Sequence, residues 1–111
     1  MTAQQLELAH SDAALLQRVA AGDLGALGEI YDAHAAEVAS FARLRVPPGE
    51  LDDVVQDTFL RVSRIAATFD GRSRNARSWI FGVAIAIIRE HRRSYSRLAR
   101  TLSRLVSAPS P

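Results

Sequence analysis

Leu51-Asp52-Asp53-Val54-Val55-Gln56-Asp57-Thr58-Phe59-Leu60-Arg61-Val62-Ser63-Arg64-Ile65 places its apolar residues at the period of an α-helix. Leu51, Val55, Phe59, Val62 and Ile65 are separated by threes and fours, which predicts one buried stripe on a helix from Gly49 or Glu50 to about Ala67. Glu50, Asp52 and Asp53 fall in its first turn, where negative charge complements the helix dipole. Roughly opposite the apolar stripe, Asp53, Gln56, Asp57, Leu60, Arg61 and Arg64 recur at i, i+3, i+4, i+7, i+8 and i+11. This second stripe has two readings. It is either a solvated face with an Asp57–Arg61 ion pair, or a docking surface in which Leu60 is the apolar anchor among polar groups. Spacing alone leaves the solvated face as the simpler of the two.

The same period extends outward in both directions. Upstream, Asp12 is a candidate N-cap for a helix that reaches Ala21, buries Leu15, Leu16 and Val19, and stops at Gly22. Asp23 then caps a helix from about Leu24 to Arg45, whose expected stripe is Leu27, Ile30, Tyr31, His34, Val38, Phe41 and Ala42. Val46-Pro47-Pro48-Gly49 ends it, because a proline disfavours helix in the residue before it. Downstream, Phe69 to Asn75 reads as a loop. A fourth helix is expected from about Ala76 to the region of Arg100, buried through Ile80, Val83, Ala84, Ile87 and His91. β-Branched residues do not alternate with polar ones, and no Asn-Gly or Asp-Gly hairpin turn occurs. The expected architecture is all-α, a compact bundle of about four helices over residues 12–100. It is preceded by a flexible N-terminus (1–11) and followed by a frayed tail or linker start (101–111).

The 111 residues suit one small domain, and the absence of Cys removes disulfides, thiolate zinc sites and cysteine nucleophiles. The longest apolar run, Trp79 to Ile88, is half the length a membrane span needs, and no basic, then apolar, secretory start is present. A cytoplasmic protein is the default expectation. The net charge of +2 conceals a segregation: residues 1–60 carry −7 and residues 61–111 carry +9, and all fourteen basic residues are Arg. An anionic partner is therefore expected for the second half. Arg89, Arg92, Arg93, Arg97, Arg100 and Arg104 repeat at helical spacing along the fourth helix, opposed only by Glu90, while Arg72, Arg74 and Arg77 lie just before or at its start beside Asn75 and Trp79. A basic stripe headed by an aromatic suits a phosphate backbone with an unpaired base to stack. The competing readings are a soluble face, or a basic helix on an anionic membrane, which conflicts with the need for residues 80–88 in the core.

Enzymatic chemistry finds no constellation. Asp52 and Asp53 are adjacent and diverge on a helix, so they cannot flank a substrate as an acid–base pair. His10, His34 and His91 lie far apart, with no second ligand at i+4. No phosphate-cradling glycine loop occurs, and Ser94, Ser96 and Ser103 lack a base partner by spacing. A non-enzyme without cofactor or metal is expected.

Taken as ordered blocks, the residues resemble a family. Asp52 through Val62 resembles the polymerase-binding segment of bacterial sigma factors of the extracytoplasmic-function (ECF) group. Leu16-Gln17-Arg18 through Ala21-Gly22-Asp23, with Ala26 and Tyr31, is similar to that family's opening helices. Phe69-Asp70, Ser78-Trp79-Ile80, Val83-Ala84 and Ile88-Arg89-Glu90-His91-Arg92-Arg93 resemble its segment for melting and reading the promoter minus-ten element. The blocks cover roughly residues 12–97, and their combination is more specific than any one of them.

The resemblance implies roles. Asp53, Gln56, Asp57, Leu60, Arg61 and Arg64 would dock on the coiled coil of the polymerase β′ subunit. The Phe69–Asn75 loop, with Arg72, Arg74 and Asn75, would receive a base flipped from the non-template strand of the minus-ten element. Trp79 and Arg77 at the start of the fourth helix would help hold the strands apart, and Arg89, Arg92, Arg93 and Arg97 would hold phosphates. An anti-sigma protein is a further expected partner, and the free protein is expected to be a monomer. Two features depart from the family pattern. Ile85 and Ala86 stand where relatives often carry Arg and Asn, and the chain ends before the second, helix-turn-helix domain that reads the minus-thirty-five element; an isolated domain or fragment and a naturally shortened protein are both open, and the linker-like tail favours the fragment. The alternative reading is thus a sigma-like module that binds polymerase or an anti-sigma factor without melting DNA.

Overall fold

The structure is a computed structural model that describes residues 2–72 and 74–107. Five α-helices follow in order: α1 (Ala3–Ala9), α2 (Asp12–Ala20), α3 (Leu24–Arg43), α4 (Leu51–Ile65) and α5 (Ala76–Ser107). Single 3-10 turns, Pro48–Glu50 and Ala66–Thr68, lead into and out of α4. Among the described residues there is no strand, and the all-α expectation holds.

The local signals that shape the bundle are few. Ser11, one residue before the expected cap, accepts the Ala14 N–H at 3.2 Å, so Asp12 is the first helical residue of α2. Gly22 takes the left-handed φ of 95° that a side chain would resist, and the chain turns there. Asp23 then caps α3 by accepting the Ala26 N–H at 3.2 Å. Arg18 bonds the same carboxylate from the preceding helix, which holds the Asp23 carboxyl below its ordinary value.

α4 runs between α3 and α5, so it is buried on two sides rather than one. Val55, Phe59 and Val62 are buried as the period predicts; Val54 and Thr58 are buried as well, while Leu51 and Ile65 are only half-buried. Thr58 tolerates the core because its hydroxyl donates to the Val54 carbonyl at 2.8 Å. The main core joins Leu16, Ile30, Val38, Phe59, Val62 and Ile80 from four helices, each such side chain worth about 1.5–3 kcal/mol of burial. A second cluster, Ala42, Val46, Val54, Ile87 and Ile88, ties the end of α3 to the middle of α5. Buried His34 hydrogen-bonds Asp12 at 2.8 Å and so pins α3 to α2.

Two helical spans exceed the expectation. The first eleven residues, expected to be flexible, contain α1, closed by a capping box between Thr2 and Gln5 and tied to α3 by His10 and Glu29 at 2.9 Å. α5 continues past Arg100 to Ser107, so residues 101–107 are helix rather than linker; the remainder of the expected tail, 108–111, lies outside the described residues. From Arg92 to Ser107 every residue of α5 is exposed.

Candidate functional site

The face expected on α4 divides in two. Asp53, Gln56, Leu60 and Arg64 are exposed, whereas Asp57 and Arg61 turn toward α5. Arg61 donates two hydrogen bonds, of 2.9 and 2.8 Å, to the two oxygens of Glu90, and Asp57 bonds His91 at 2.8 Å. The sequence-based Asp57–Arg61 pair is therefore replaced by two cross-links between α4 and α5. The Arg61 guanidinium, more than its own desolvation opposes, holds the Glu90 carboxyl below its ordinary value, and Arg93 and His91 add to that pull.

What remains exposed on α4 joins residues from α3. Gln56 and Leu60, with Phe59 beneath, face Leu24, Leu27 and Tyr31 across an open groove of about 410 Å³. Leu60 is 51% exposed, Leu24 79% and Tyr31 41%, a concentration of apolar surface that the fold leaves uncovered. Tyr31 was expected in the core; its ring instead stands edge-on to Phe59, centroids 5.1 Å apart, and forms a groove wall. Leu24 was not singled out at all, since the first residue of a helix lies outside any period that could mark it. Pocket-forming pairs between α3 and α4 are tertiary, and only the exposed Leu60 on the α4 stripe pointed toward them.

The loop before α5 and the start of that helix hold a different chemistry. Asn75 Oδ1 accepts the Ser78 N–H at 2.8 Å, which makes Asn75 the N-cap of α5. Asp70 Oδ1 accepts the Arg72 N–H at 2.9 Å and tightens the turn. Phe69 and Trp79 meet edge-to-face at 5.6 Å, both half-buried against the main core, so Trp79 is a rim residue of the core rather than an open stacking platform. Phe69, Arg74, Asn75 and Arg77 line a cavity of about 460 Å³ whose far wall is Asp12. Ser73, within the loop, lies outside the described residues. Arg77 is not free: its Nε donates to Glu37 at 3.2 Å, which ties α5 to α3.

Along α5 the expected arginine stripe is intact. Arg89, Arg92, Arg93, Arg97, Arg100 and Arg104 are exposed, and none of them has a carboxylate at ion-pair distance among the described residues. Glu90, the one acid in that stretch, is occupied by Arg61. Ile85 and Ala86, the apolar departure expected near this face, are half-buried.

Comparison with known proteins decides the family. The profile of the sigma-70 region 2 family matches residues 30–98. The chain belongs to the sigma-70 region 2 family, ECF type. Its relatives include the RNA polymerase sigma factor NccH of Alcaligenes xylosoxydans xylosoxydans, 36% identical over 83 residues, which are 74% of this chain and 44% of NccH. The ECF RNA polymerase sigma factor SigL of Mycobacterium tuberculosis is 37% identical over 76 residues, 68% of this chain and 43% of SigL. The solved structure of CnrH in complex with the cytosolic domain of CnrY is similar in fold, with a TM-score of 0.65 and 31% identity over 89% of this chain and 67% of that one. This region 2 chain thus spans less than half the length of the curated relatives it matches. No helix among its described residues is long and apolar enough to cross a membrane, and no group of His, Cys, Asp or Glu among them could hold a metal ion.

Proposed function

We propose that this chain is the part of an ECF sigma factor that docks on core RNA polymerase and engages the promoter minus-ten element in transcription initiation. The observation that carries the reading is the uncovered apolar groove of Leu24, Leu27, Tyr31, Gln56 and Leu60, which shares Gln56 and Leu60 with the surface the family resemblance assigns to the β′ coiled coil. A helix laid in that groove would cover Leu60 and Leu24 together, with Asp53 and Arg64 at the rim. Asp57 and Arg61 act in this account as positioning residues, because they bind α5 to α4.

On the other face, the α5 arginines hold phosphates, and the cavity of Phe69, Arg74 and Asn75 receives an unpaired base. Such a protein lowers no chemical barrier. It unpairs a few bases by binding the single strand more tightly than the duplex, at a cost of a few kcal/mol per extruded base. Asn75 uses Oδ1 for its cap, which leaves its amide N–H groups to a base. CnrH, in its solved structure, is in complex with the cytosolic domain of CnrY, which supports an anti-sigma protein as a partner of this chain as well.

The test of the DNA half is a panel of single-stranded oligonucleotides differing at one base, bound to the wild type and to Asn75→Ser. The serine keeps the cap and removes the amide. The account predicts that affinity depends on that base in the wild type and loses this dependence in the variant. Equal affinity for every oligonucleotide in the wild type would favour the module that binds protein without reading DNA.

A further inference from the structure

Arg43 and Arg45 lie in the acidic half of the sequence, among residues to which the charge pattern assigns no anionic ligand. The fold moves them. Ala42 and Val46 are buried against Ile87 and Ile88, and this packing sets the end of α3 beside the middle of α5. Between the two helix segments is a cleft of about 350 Å³ lined by Arg43, Arg45, Arg92, Tyr95 and Ser96.

The cleft is built to keep its charge outward. The Arg45 guanidinium stacks on the Phe41 ring, 3.7 Å from its centroid, and Nη1 donates to the Phe41 carbonyl at 2.6 Å. That fixes the guanidinium plane while its other N–H groups stay available. Arg43, Arg45 and Arg92 are exposed, and none pairs with a carboxylate among the described residues. The Tyr95 and Ser96 hydroxyls add neutral donors. Arg92 and Ser96 also border the adjoining depression formed with Arg93, Arg97 and Arg100. One basic surface therefore runs from the end of α3 across α5, with arginines on both sides of a shallow channel.

We propose that this cleft is a second phosphate-binding site, which extends the contact with the nucleic-acid backbone from α5 onto α3. The inference rests on the reading of α5 as a phosphate-holding face and adds Arg43 and Arg45 to it. A polyanion fits better than an isolated anion because six arginines lie along one surface and no acid lines it among the described residues, and each phosphate contact releases counterions. Contacts of this kind fix where the strand lies and carry no sequence information.

The experiment is a fluorescence-anisotropy titration of the full chain with a labelled duplex and a labelled single strand at several salt concentrations. It compares the wild type with Arg43→Ala/Arg45→Ala, Arg43→Lys/Arg45→Lys and Arg92→Ala/Arg97→Ala; circular dichroism checks that each variant folds. For two lost contacts the slope of log K against log salt should become shallower by about 1.8 on duplex and about 1.4 on single strand. Binding should weaken uniformly across sequences, and the lysine variant should keep most of the slope. Unchanged slope in Arg43→Ala/Arg45→Ala, with loss in Arg92→Ala/Arg97→Ala, would overturn the cleft and leave the α5 reading standing. No binding by the wild type, or no effect of either alanine pair, would remove the α5 reading and the cleft together. Stronger competition by polyglutamate than by nucleic acid, dependent on Arg43 and Arg45, would assign the cleft to acidic protein and overturn the proposal.

Discussion

The guanidinium of Arg61 takes both oxygens of Glu90, the one acid of α5, and Arg89, Arg92, Arg93, Arg97, Arg100 and Arg104 have no carboxylate at ion-pair distance among the described residues. Both side chains are partly exposed, so the pair is worth at most about 1 kcal/mol. Its pH dependence has a definite sign. Glu90 titrates below its ordinary value of 4.5 in the folded chain, so its stabilising contribution is complete above that value and is lost as pH falls through the lowered one. Asp23, held down from 3.8 by Arg18, acts in the same direction at lower pH. The thermal midpoint should therefore drop on acidification below about pH 4.5, and Arg61→Met should reduce that drop, which a melting series by circular dichroism measures. An identical acid slope in the variant would contradict the assignment. Asn75 acts through its cap as well as its amide. Asn75→Ala should cost about 1 kcal/mol of stability, and Asn75→Ser should cost little, as denaturant midpoints will show.

Among the helices, α4 shows where periodicity suffices and where it stops. Val55, Phe59 and Val62 were legible because a single buried stripe repeats every three or four residues. Val54 and Thr58 were not, because burial on two sides depends on α3 and α5 both packing there, and a threonine reads as polar until its hydroxyl finds the Val54 carbonyl. Tyr31 was misassigned for the converse reason. It lies close to the stripe of α3, but the groove leaves its side open. α1 carried no apolar stripe, since none of its residues is buried; its one sequence signal is the Thr2-Ala3-Gln4-Gln5 capping box, which the structure supplements with the His10–Glu29 contact. α5 is 32 residues, about 48 Å, and only its first half packs on the bundle. Hydrogen exchange should therefore divide it: amides of Val83–Ile88 exchange at the rate of global unfolding, and those beyond Arg92 exchange much faster. Uniform protection to Ser107 would mean that a partner or second copy covers the outer half in solution.

For the molecule as a whole, the charge split in the sequence pointed to two chemically different surfaces, and the structure has an uncovered apolar groove between α3 and α4 and exposed arginines along α5. The groove itself was half legible. Leu60 stood out on an otherwise polar stripe, while Leu24 and Tyr31 joined it only through the packing of α3 on α4. The basic surface was likewise incomplete in the sequence, because Arg43 and Arg45 reach Arg92 only when the second core cluster forms. Two surfaces that share no residue should be separable by mutation. The decisive measurement is the affinity of the chain for core RNA polymerase, for the wild type, Gln56→Ala/Leu60→Ala and Arg92→Ala/Arg97→Ala. The account predicts that the wild type binds, that the groove variant loses at least tenfold in affinity, and that the arginine variant binds like the wild type. A wild type that does not bind, or a groove variant that binds as well as the wild type, would contradict it.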